Sequence, residues 1–209
     1  MIKAIVRLVA ALLMTLLLML LWVPHTFPQD KTFRGKVIDS DTKEPIEGAV
    51  IVVYWYEARS TPFLGESTRL KEVKECLTDK NGEWKIVGEE GRGLNPDPSS
   101  SVDTGSYYTR KPEFIIFMPG YCSWPKGFSV KSCQGRMRST GAGTIMEGKT
   151  IELPKLVNRE DRLNVLADAV GEDITILRKQ KTFMKLINIE RKNLDLDENE
   201  TYKELINEK

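Results

Sequence analysis

The chain has 209 residues, with 31 Lys and Arg against 30 Asp and Glu, and 41% of its residues are hydrophobic. A chain of this length and composition forms one domain of ordinary core size plus appendages. The near-neutral charge excludes the basic excess that is typical of nucleic-acid-binding proteins, so no nucleic acid is expected as a partner.

The first 29 residues predict export. Lys3 and Arg7 precede an apolar block over residues 8–23, and no small-x-small cleavage site follows this block. Residues 1–29 are therefore expected to be either a signal peptide that is removed or an N-terminal anchor in which residues 4–23 span the membrane. Both alternatives place the rest of the chain in the periplasm or cell envelope, and a retained segment makes the membrane a partner.

Export to an oxidising compartment allows disulfide bonds. Cys122 and Cys133 lie eleven positions apart around Gly127, and this spacing favours them as the bridged pair. Three cysteines allow three single bridges, however, so the pairing stays open from the sequence alone. Cys76 is left over in the run VKECLT, without a neighbouring histidine, which indicates a small buried side chain and not a reactive thiol.

Alternating polar turns and apolar runs predict β-strands after the leader. Residues 32–39 predict a first strand, and the turn DSDTKEP follows at 39–45. Residues 46–56 are apolar at nearly every position and rich in β-branched types, which indicates a central strand that is covered on both faces. Residues 57–70 are polar, and they predict a loop.

The sequence Asp-Lys-Asn-Gly at 79–82 lies between two strand-like runs, 71–78 and 83–88, and predicts a β-hairpin. It resembles the middle of a calcium loop, but the upstream acid and the terminal Glu of that motif are missing, so no metal site is expected. Further strands are predicted over residues 112–118 and 144–156.

Two long loops hold the candidate ligand contacts. The loop at 89–111 is rich in Gly, Pro and Ser and contains Tyr107 and Tyr108, which either cap a sheet edge or stack on a ligand. The irregular segment at 122–143 contains Trp124. These three aromatic residues are the candidate ligand contacts.

The hydrophobic period changes to that of helices after residue 154. A helix is predicted from Asn158 with Gly171 at its end, and Asp173 is placed to cap a second helix. This second helix has an apolar stripe that is predicted to pack on the sandwich in preference to a partner, and it consists of Ile174, Leu177, Met184 and Ile187. Residues 193–209 are charged and are expected to fray.

The only histidine, His25, lies in the leader, which excludes several chemistries. Ser-His-Asp catalysis, Cys-His catalysis and His-ligated zinc all need a histidine in the folded part. No Gly-rich phosphate loop is present either. Consequently no catalytic residue, cofactor-binding residue or metal ligand is assigned, and no cofactor is expected. An enzyme that uses carboxylates or a Ser-Lys pair is the least favoured alternative, because thirty acids make chance pairs common.

Four motifs resemble carboxypeptidase regulatory-like domains: GKVID at 35–39, EPIEGAVIV at 44–52, TDKNGEW at 78–84 and PGY at 119–121. The resemblance implies a mainly β fold, a seven-stranded antiparallel Greek-key transthyretin-like β-sandwich over residues 33–156, with a C-terminal α-helical extension over 157–209. The zinc domain that accompanies this module in metallocarboxypeptidases is absent, so the resemblance implies no peptidase activity.

These patterns together predict a non-enzymatic, exported cell-envelope module with a binding or scaffold role, and an envelope protein or a glycan as its partner. The alternative function is a carbohydrate-binding β-sandwich that stacks sugars on aromatic side chains, with Tyr107, Tyr108, Trp124 and Trp55 as the candidates.

Overall fold

The computed structural model of the protein describes residues 30–61, 65–91, 107–139 and 148–208. The leader at 1–29 therefore lies outside the described residues, as does most of the Gly-, Pro- and Ser-rich loop. The described part contains eight strands: β1 Asp30–Asp39, β2 Val50–Thr61, β3 Gly65–Leu77, β4 Glu83–Glu89, β5 Tyr108–Thr109, β6 Glu113–Phe117, β7 Arg138–Ser139 and β8 Lys149–Leu153. Two of these, β5 and β7, have only two residues each, so the described part has six longer strands and two short ones, close to the predicted count of seven.

The strands form two sheets, which confirms a mainly β protein. Sheet A has the order β4-β1-β8-β7, and sheet B has β2 between β3 on one side and β5 and β6 on the other. The prediction of a purely antiparallel sandwich is wrong for one pair, because β1 and β8 run parallel with Gly35 opposite Lys149. A long connection through sheet B separates these two strands, and parallel neighbours require such a crossover.

The two sheets share one apolar core. Phe33 and Val37 on β1 are fully buried, and they belong to the same cluster as Ile51 and Trp55 on β2. Phe33 packs edge-on against Phe114 of β6, with the ring centroids 5.7 Å apart. Packing of the inner faces against each other makes the pair of sheets a β-sandwich.

The central strand β2 is covered on both faces, as its continuous apolar run predicts. Ile51 and Val53 face the core between the sheets, whereas Val50 and Val52 belong to a second cluster with Phe183 from the C-terminal helices. The outer face of sheet B is therefore buried under helices.

The prediction of a loop at 57–70 is wrong. β2 continues to Thr61, and β3 begins at Gly65 and pairs with it in antiparallel register. Polar side chains stabilise this part of the hairpin by pairing across the strands, as between Arg69 Nη2 and Glu57 Oε2 at 2.7 Å. Because little of it faces the core, the apolar alternation that marks a half-buried strand is missing.

The turn at 79–82 forms, but the strands on its two sides belong to different sheets. Gly82 donates its N–H to the Asp79 carbonyl at 2.8 Å and has φ of +73°, a value that favours glycine. β3 pairs with β2, whereas β4 pairs with β1. The expected two-stranded hairpin ladder is therefore wrong, since the chain crosses from sheet B to sheet A at this turn.

The disulfide between Cys122 and Cys133 is present, which confirms the predicted pair. It closes a segment with a 3₁₀ helix at Lys126–Ser129. Ser123 Oγ donates to the Val165 carbonyl at 2.7 Å, so the segment is attached to the start of the helical region. Cys76 is the remaining free cysteine and is partly buried.

The C-terminal part has four α-helices: α1 Arg159–Asn164, α2 Ile174–Leu177, α3 Lys181–Asn193 and α4 Glu200–Asn207. A 3₁₀ turn at Arg178–Gln180 joins α2 to α3. The first helix is shorter than predicted: α1 ends at Asn164, whereas the prediction placed the helix end at Gly171. Residues 165–170 instead follow an irregular path in which buried Gln180 bonds the N–H and carbonyl of Val170. Asp173 caps α2 through the Thr175 N–H at 2.7 Å, as predicted.

The expectation that residues 193–209 fray is wrong. Asn199 caps α4 by accepting from the Tyr202 N–H, and Leu205 is buried between the helices. Buried Asn188 on α3 accepts from the Asn199 N–H at 2.8 Å and so holds α4 in place. A few apolar positions with good caps are thus enough to order a charged segment.

The helices pack on the protein's own sandwich, but of the predicted apolar stripe only Ile187 is buried there. Leu177 and Met184 pack among the helices with Leu205, and Ile174 is exposed. Phe183 and Ile187 of α3 are buried against the outer face of sheet B. The Glu75 carboxylate on β3 accepts from the N–H groups of Thr182 and Phe183, both at 2.8 Å, and so satisfies the start of α3. Within the described residues, none of the helices has the length and apolar character needed to cross a bilayer.

Candidate functional site

Tyr107 and Tyr108 lie at the far end of sheet B from the core. The Tyr107 ring is 47% exposed, and the Arg69 guanidinium lies over it at 4.4 Å from the ring centroid. Tyr108 pairs with Ala58 on β2 and donates its hydroxyl to Glu66 at 2.6 Å. Both tyrosines thus interact with the β2–β3 hairpin, and their contact with a ligand stays a prediction.

Trp124 lies elsewhere, beside β6. It bridges to Ile116, which pairs with Ile51, and its ring meets Phe128 edge-on at 4.5 Å. Trp124 thus lies near Ile51 of β2, through Ile116, whereas Tyr108 pairs with Ala58 of β2. Ile51 and Ala58 are seven residues apart, which is about 23 Å along a strand. The structure therefore does not bring the three aromatic candidates together. Trp55 is buried in the core, where no ligand can stack on it.

An open groove of about 540 Å³ lies over β1, β4 and β8, next to the end of β3. This volume is within the range of small-molecule sites. The groove is lined by Arg34, Gly35, Lys36, Cys76, Leu77, Asp79, Glu83, Trp84, Lys85, Gly148, Lys149 and Thr150. We call it the basic groove.

Strand alternation decides which side chains face the basic groove. Arg34 and Lys36 alternate on β1 with the core residues Phe33 and Val37, so they project from the outer face of sheet A. On β4, Lys85 is exposed between the buried Trp84 and Ile86. The cationic side chains therefore share the solvent side of the sheet.

The residues between these cationic side chains form the floor of the basic groove. A side-chain carbon at Gly35 would lie 2.9 Å from the Trp84 ring and from the Lys149 carbonyl oxygen, so the position requires glycine. Trp84 itself is buried, and its indole N–H has no hydrogen-bond acceptor in the described part of the chain. Lys149 lies two residues before buried Ile151 and is itself only 8% exposed, which places both side chains on the core side of β8.

Two like charges meet in the basic groove. Arg34 lies directly opposite Lys85 in the β1–β4 ladder. Among the ion pairs within the described ranges, none includes Arg34, Lys36 or Lys85. Cross-strand neighbours of like charge destabilise a sheet by roughly 0.2–1 kcal/mol.

The acids that line the groove are Asp79 and Glu83. Glu83 is opposite Lys36 in the ladder. The Asp79 carboxylate is held by its own turn, where it accepts from the N–H groups of Asn81 and Glu83 at 2.9 Å each. Glu83 shares the face of Lys85 at a distance of two residues, but no ion pair within the described residues joins it to Arg34 or Lys85.

Cys76 lies at the edge of the basic groove. Burial raises the pKa of its thiol to about 11, a hydrogen bond with the Lys85 backbone lowers it slightly, and the charge of Glu75 raises it. The thiol stays protonated at neutral pH, and a protonated thiol is a poor nucleophile. No group of three or more His, Cys, Asp or Glu side chains within the described residues could hold a metal ion.

The basic groove was not predicted from the sequence. Its signal was the spacing of Arg34 and Lys36, which strand geometry places on one face. Lys85 could be added only from the β1–β4 register, because 51 positions separate it from Arg34 along the chain.

Comparison with known proteins gave neither a matching family model nor a matching curated protein. Solved structures that match part of this chain include 3-chlorocatechol 1,2-dioxygenase from Rhodococcus opacus, with 15% identity and a TM-score of 0.31 over 64% of this chain and 62% of that one. Hydroxyquinol 1,2-dioxygenase from Pseudomonas putida has 14% identity and a TM-score of 0.29 over 63% and 57%. The shaft pilin spaA from Lactobacillus rhamnosus has 12% identity and a TM-score of 0.27 over 62% and 52%. The chain thus spans about three fifths of the dioxygenases it matches.

The expectation of a non-enzymatic module is wrong by this comparison, because the dioxygenases among the matched structures are enzymes. We therefore carry neither that module nor its carbohydrate-binding alternative further. TM-scores of 0.27–0.31 are too low to transfer the activity of any of these proteins to this chain.

Proposed function

We propose that the protein binds a small organic anion in the basic groove, with the anionic group on Arg34 and Lys85. The observation that carries this proposal is the like-charged pair, which lies in a groove of about 540 Å³ without a carboxylate partner in the described residues. The proposal assigns a binding site, and a bound anion in it is either a ligand or a substrate.

The chemistry of the pair suits a carboxylate or a phosphate. A guanidinium and an ammonium side by side donate charge-assisted hydrogen bonds to two oxygens of one anionic group. Binding of such a group also removes the repulsion between the two cations. Gly148 lines the groove next to Arg34 and donates its N–H to the Arg34 carbonyl at 2.8 Å.

Another role for exposed lysines on this strand is protection of a sheet edge. β4 is the outermost strand of sheet A, and lysines on edge strands discourage pairing with other chains. That role requires no anion binding, whereas the proposed function does, so a titration separates the two.

The test is calorimetric titration of the protein with succinate, and separately with inorganic phosphate, at low ionic strength. Replacement of Lys85 by Ala is expected to weaken binding by roughly 10- to 150-fold, because one charge-assisted hydrogen bond contributes about 1.5–3 kcal/mol. The matched control is Lys185→Ala, since Lys185 is an exposed lysine on α3, outside the groove. Equal affinity of both variants, or no binding at all, would contradict the proposal.

The finer fold assignment is also a proposal. We infer that residues 33–156 form a carboxypeptidase regulatory-like domain of Greek-key type and that residues 157–209 are its helical extension. Support comes from the motif residues, since GKVID lies in β1 and Asn81-Gly82 lies in the turn before β4. A crystal structure that showed a different strand connectivity would contradict it.

We further propose that residues 1–29 direct export and act as a signal or a membrane anchor. The disulfide between Cys122 and Cys133 supports this, because disulfides persist in oxidising compartments. An envelope protein or a glycan as partner stays a prediction. Fractionation of cells, with mass spectrometry of the mature N-terminus, tests the location and the fate of the leader. Recovery of the protein in the cytoplasm would contradict export.

A further inference from the structure

We infer that the outer part of the β2–β3 hairpin is a surface that binds anionic phospholipid headgroups. This surface consists of residues 57–61, 65–69 and 107–110, and we call it the hairpin arm. The inference rests on the proposal that residues 1–29 anchor the protein in a membrane, and it is independent of the anion site in the basic groove. It gives the folded part of the chain a membrane contact of its own.

The hairpin arm projects from one end of the sandwich. Glu89, the last residue of β4, lies opposite Asp30, the first residue of β1. Trp55 on β2 is level with this end of sheet A, because its indole N–H donates to the Glu89 carbonyl at 2.8 Å. β2 continues for six residues beyond Trp55 to Thr61, which is about 20 Å of strand. The hairpin arm therefore extends past the end of sheet A at which β1 begins.

The start of β1 limits how far this end of the sandwich can lie from the bilayer. Asp30 follows Val23, the last residue of the apolar block, by seven residues. At a maximum of about 3.6 Å per residue, this stretch reaches roughly 25 Å. With residues 4–23 across the membrane, the end of the sandwich that carries Asp30 stays close to the membrane surface, within reach of the hairpin arm.

The hairpin arm presents a cation and an aromatic ring together. The Tyr107 ring is 47% exposed, and the Arg59 guanidinium lies 5.7 Å from its centroid. Within the described residues, Arg59 forms no ion pair and its Nε has no hydrogen-bond acceptor. The planar guanidinium matches the oxygens of a phosphate, and tyrosine is enriched at the interface between a membrane and water.

The charge of the hairpin arm favours an anionic surface over a neutral one. Its two carboxylates are already paired, Glu57 with Arg69 and Glu66 with Arg110. The Arg59 charge is therefore in excess. Stacking on Tyr107 would stabilise the arm without any lipid, so a measurement on membranes separates the two roles of Arg59.

The experiment is hydrogen exchange of the full chain, reconstituted through its leader into vesicles of phosphatidylcholine, either alone or mixed with phosphatidylglycerol. We expect slower exchange of the arm amides in the anionic vesicles, and a return to the faster rate in high salt, which screens surface charge. Arg59→Gln is expected to reduce this protection about fivefold, the factor that one basic residue contributes near an anionic membrane. Tyr107→Ser in the same chain is expected to remove the remainder.

The matched control is Phe128→Ser combined with Lys131→Gln. These residues are an exposed aromatic ring and an exposed cation in the disulfide-closed segment, which lies beside the start of β2 at the opposite end of the sandwich. This variant is expected to keep the difference between the two lipids. Equal exchange of the arm in both lipids, with the protein retained in the membrane, would overturn the inference while the anchor stands. Release of the protein by alkaline extraction would overturn both.

Discussion

The two outer faces of the sandwich differ in what covers them. The outer face of sheet B is apolar, through Val50, Val52 and Phe117, and helix α3 buries it. The outer face of sheet A carries Arg34 and Lys85 and stays open to solvent. Two faces of one small domain thus follow opposite rules, and the difference separates the part of the molecule that provides stability from the part that is available for binding.

The sequence patterns of the strands account for the difference between the two faces. A strand that is buried on both faces has a continuous apolar run, as β2 does, whereas one that is buried on one face alternates, as β4 does. Substitutions on the covered face are therefore expected to change stability, and those on the open face to change binding.

The largest effect is expected on the covered face. Phe183→Ala removes a fully buried ring that packs against Phe117, so we expect a loss of about 3–5 kcal/mol in the free energy of unfolding. Urea denaturation measures it. The control is Ile189→Ala on the same helix, which is 38% exposed and is expected to cost under about 1 kcal/mol. Similar losses for both would mean that α3 contributes little to the core.

The disulfide comes next. Replacement of Cys122 and Cys133 by Ala is expected to cost about 3 kcal/mol, because the bridge closes a loop with a sequence separation of 11. The segment that it closes contacts Val165 at the start of the helical region, so we expect the variant to loosen the covered side first. Hydrogen exchange, measured separately for the backbone amides of sheet A and sheet B, tests this expectation. Faster exchange on sheet A alone would contradict this expectation.

A pH effect is expected where β1 ends. Burial raises the pKa of Asp39, but hydrogen bonds from the N–H groups of Thr42 and Asp41 and from the Tyr121 hydroxyl outweigh it and hold the pKa below 3.8. A depressed carboxyl pKa adds stability above the ordinary value, and this stability is lost as the pH falls through the lowered value.

Asp39→Asn is therefore expected to lower the free energy of unfolding by about 1–2 kcal/mol at neutral pH. Below about pH 4, the stability of this variant should fall less steeply with decreasing pH than that of the wild type. Thermal denaturation from pH 7 to pH 2 checks this. Asp41→Asn is the control, because Asp41 is an exposed turn acid. Parallel curves for the wild type and Asp39→Asn would contradict the assignment.

The substitution with the smallest expected change in stability, Lys85→Glu, is expected to give the largest change in binding. Lys85→Glu places an acid opposite Arg34 and replaces repulsion by attraction, so we expect a gain of about 0.5 kcal/mol in stability. The same change removes the proposed anion site, so binding should be lost. Urea denaturation and calorimetry on one preparation measure both. A variant that is destabilised, or that keeps its affinity, would contradict the contrast between the two faces.

Much of the β framework could be predicted from local patterns. The first strand, the central strand and the turn at 79–82 all have residues with strong local preferences, such as Val, Ile and Asn-Gly. The outer part of the β2–β3 hairpin could not, because its strands depend on cross-strand partners such as Glu57 and Arg69 that no local pattern marks. The basic groove was missed for the same reason, since its cations come from two strands that only the register brings together.

By itself the sequence determined the apolar runs, the turn chemistry, the caps at Asp173 and the favoured cysteine pair, since each depends on residues close together in the chain. Only the tertiary structure decided which strands share a sheet, that β8 runs parallel to β1, that the last charged segment folds as α4 and that Arg34 meets Lys85. These features depend on contacts between distant residues, whose free energy no local pattern encodes.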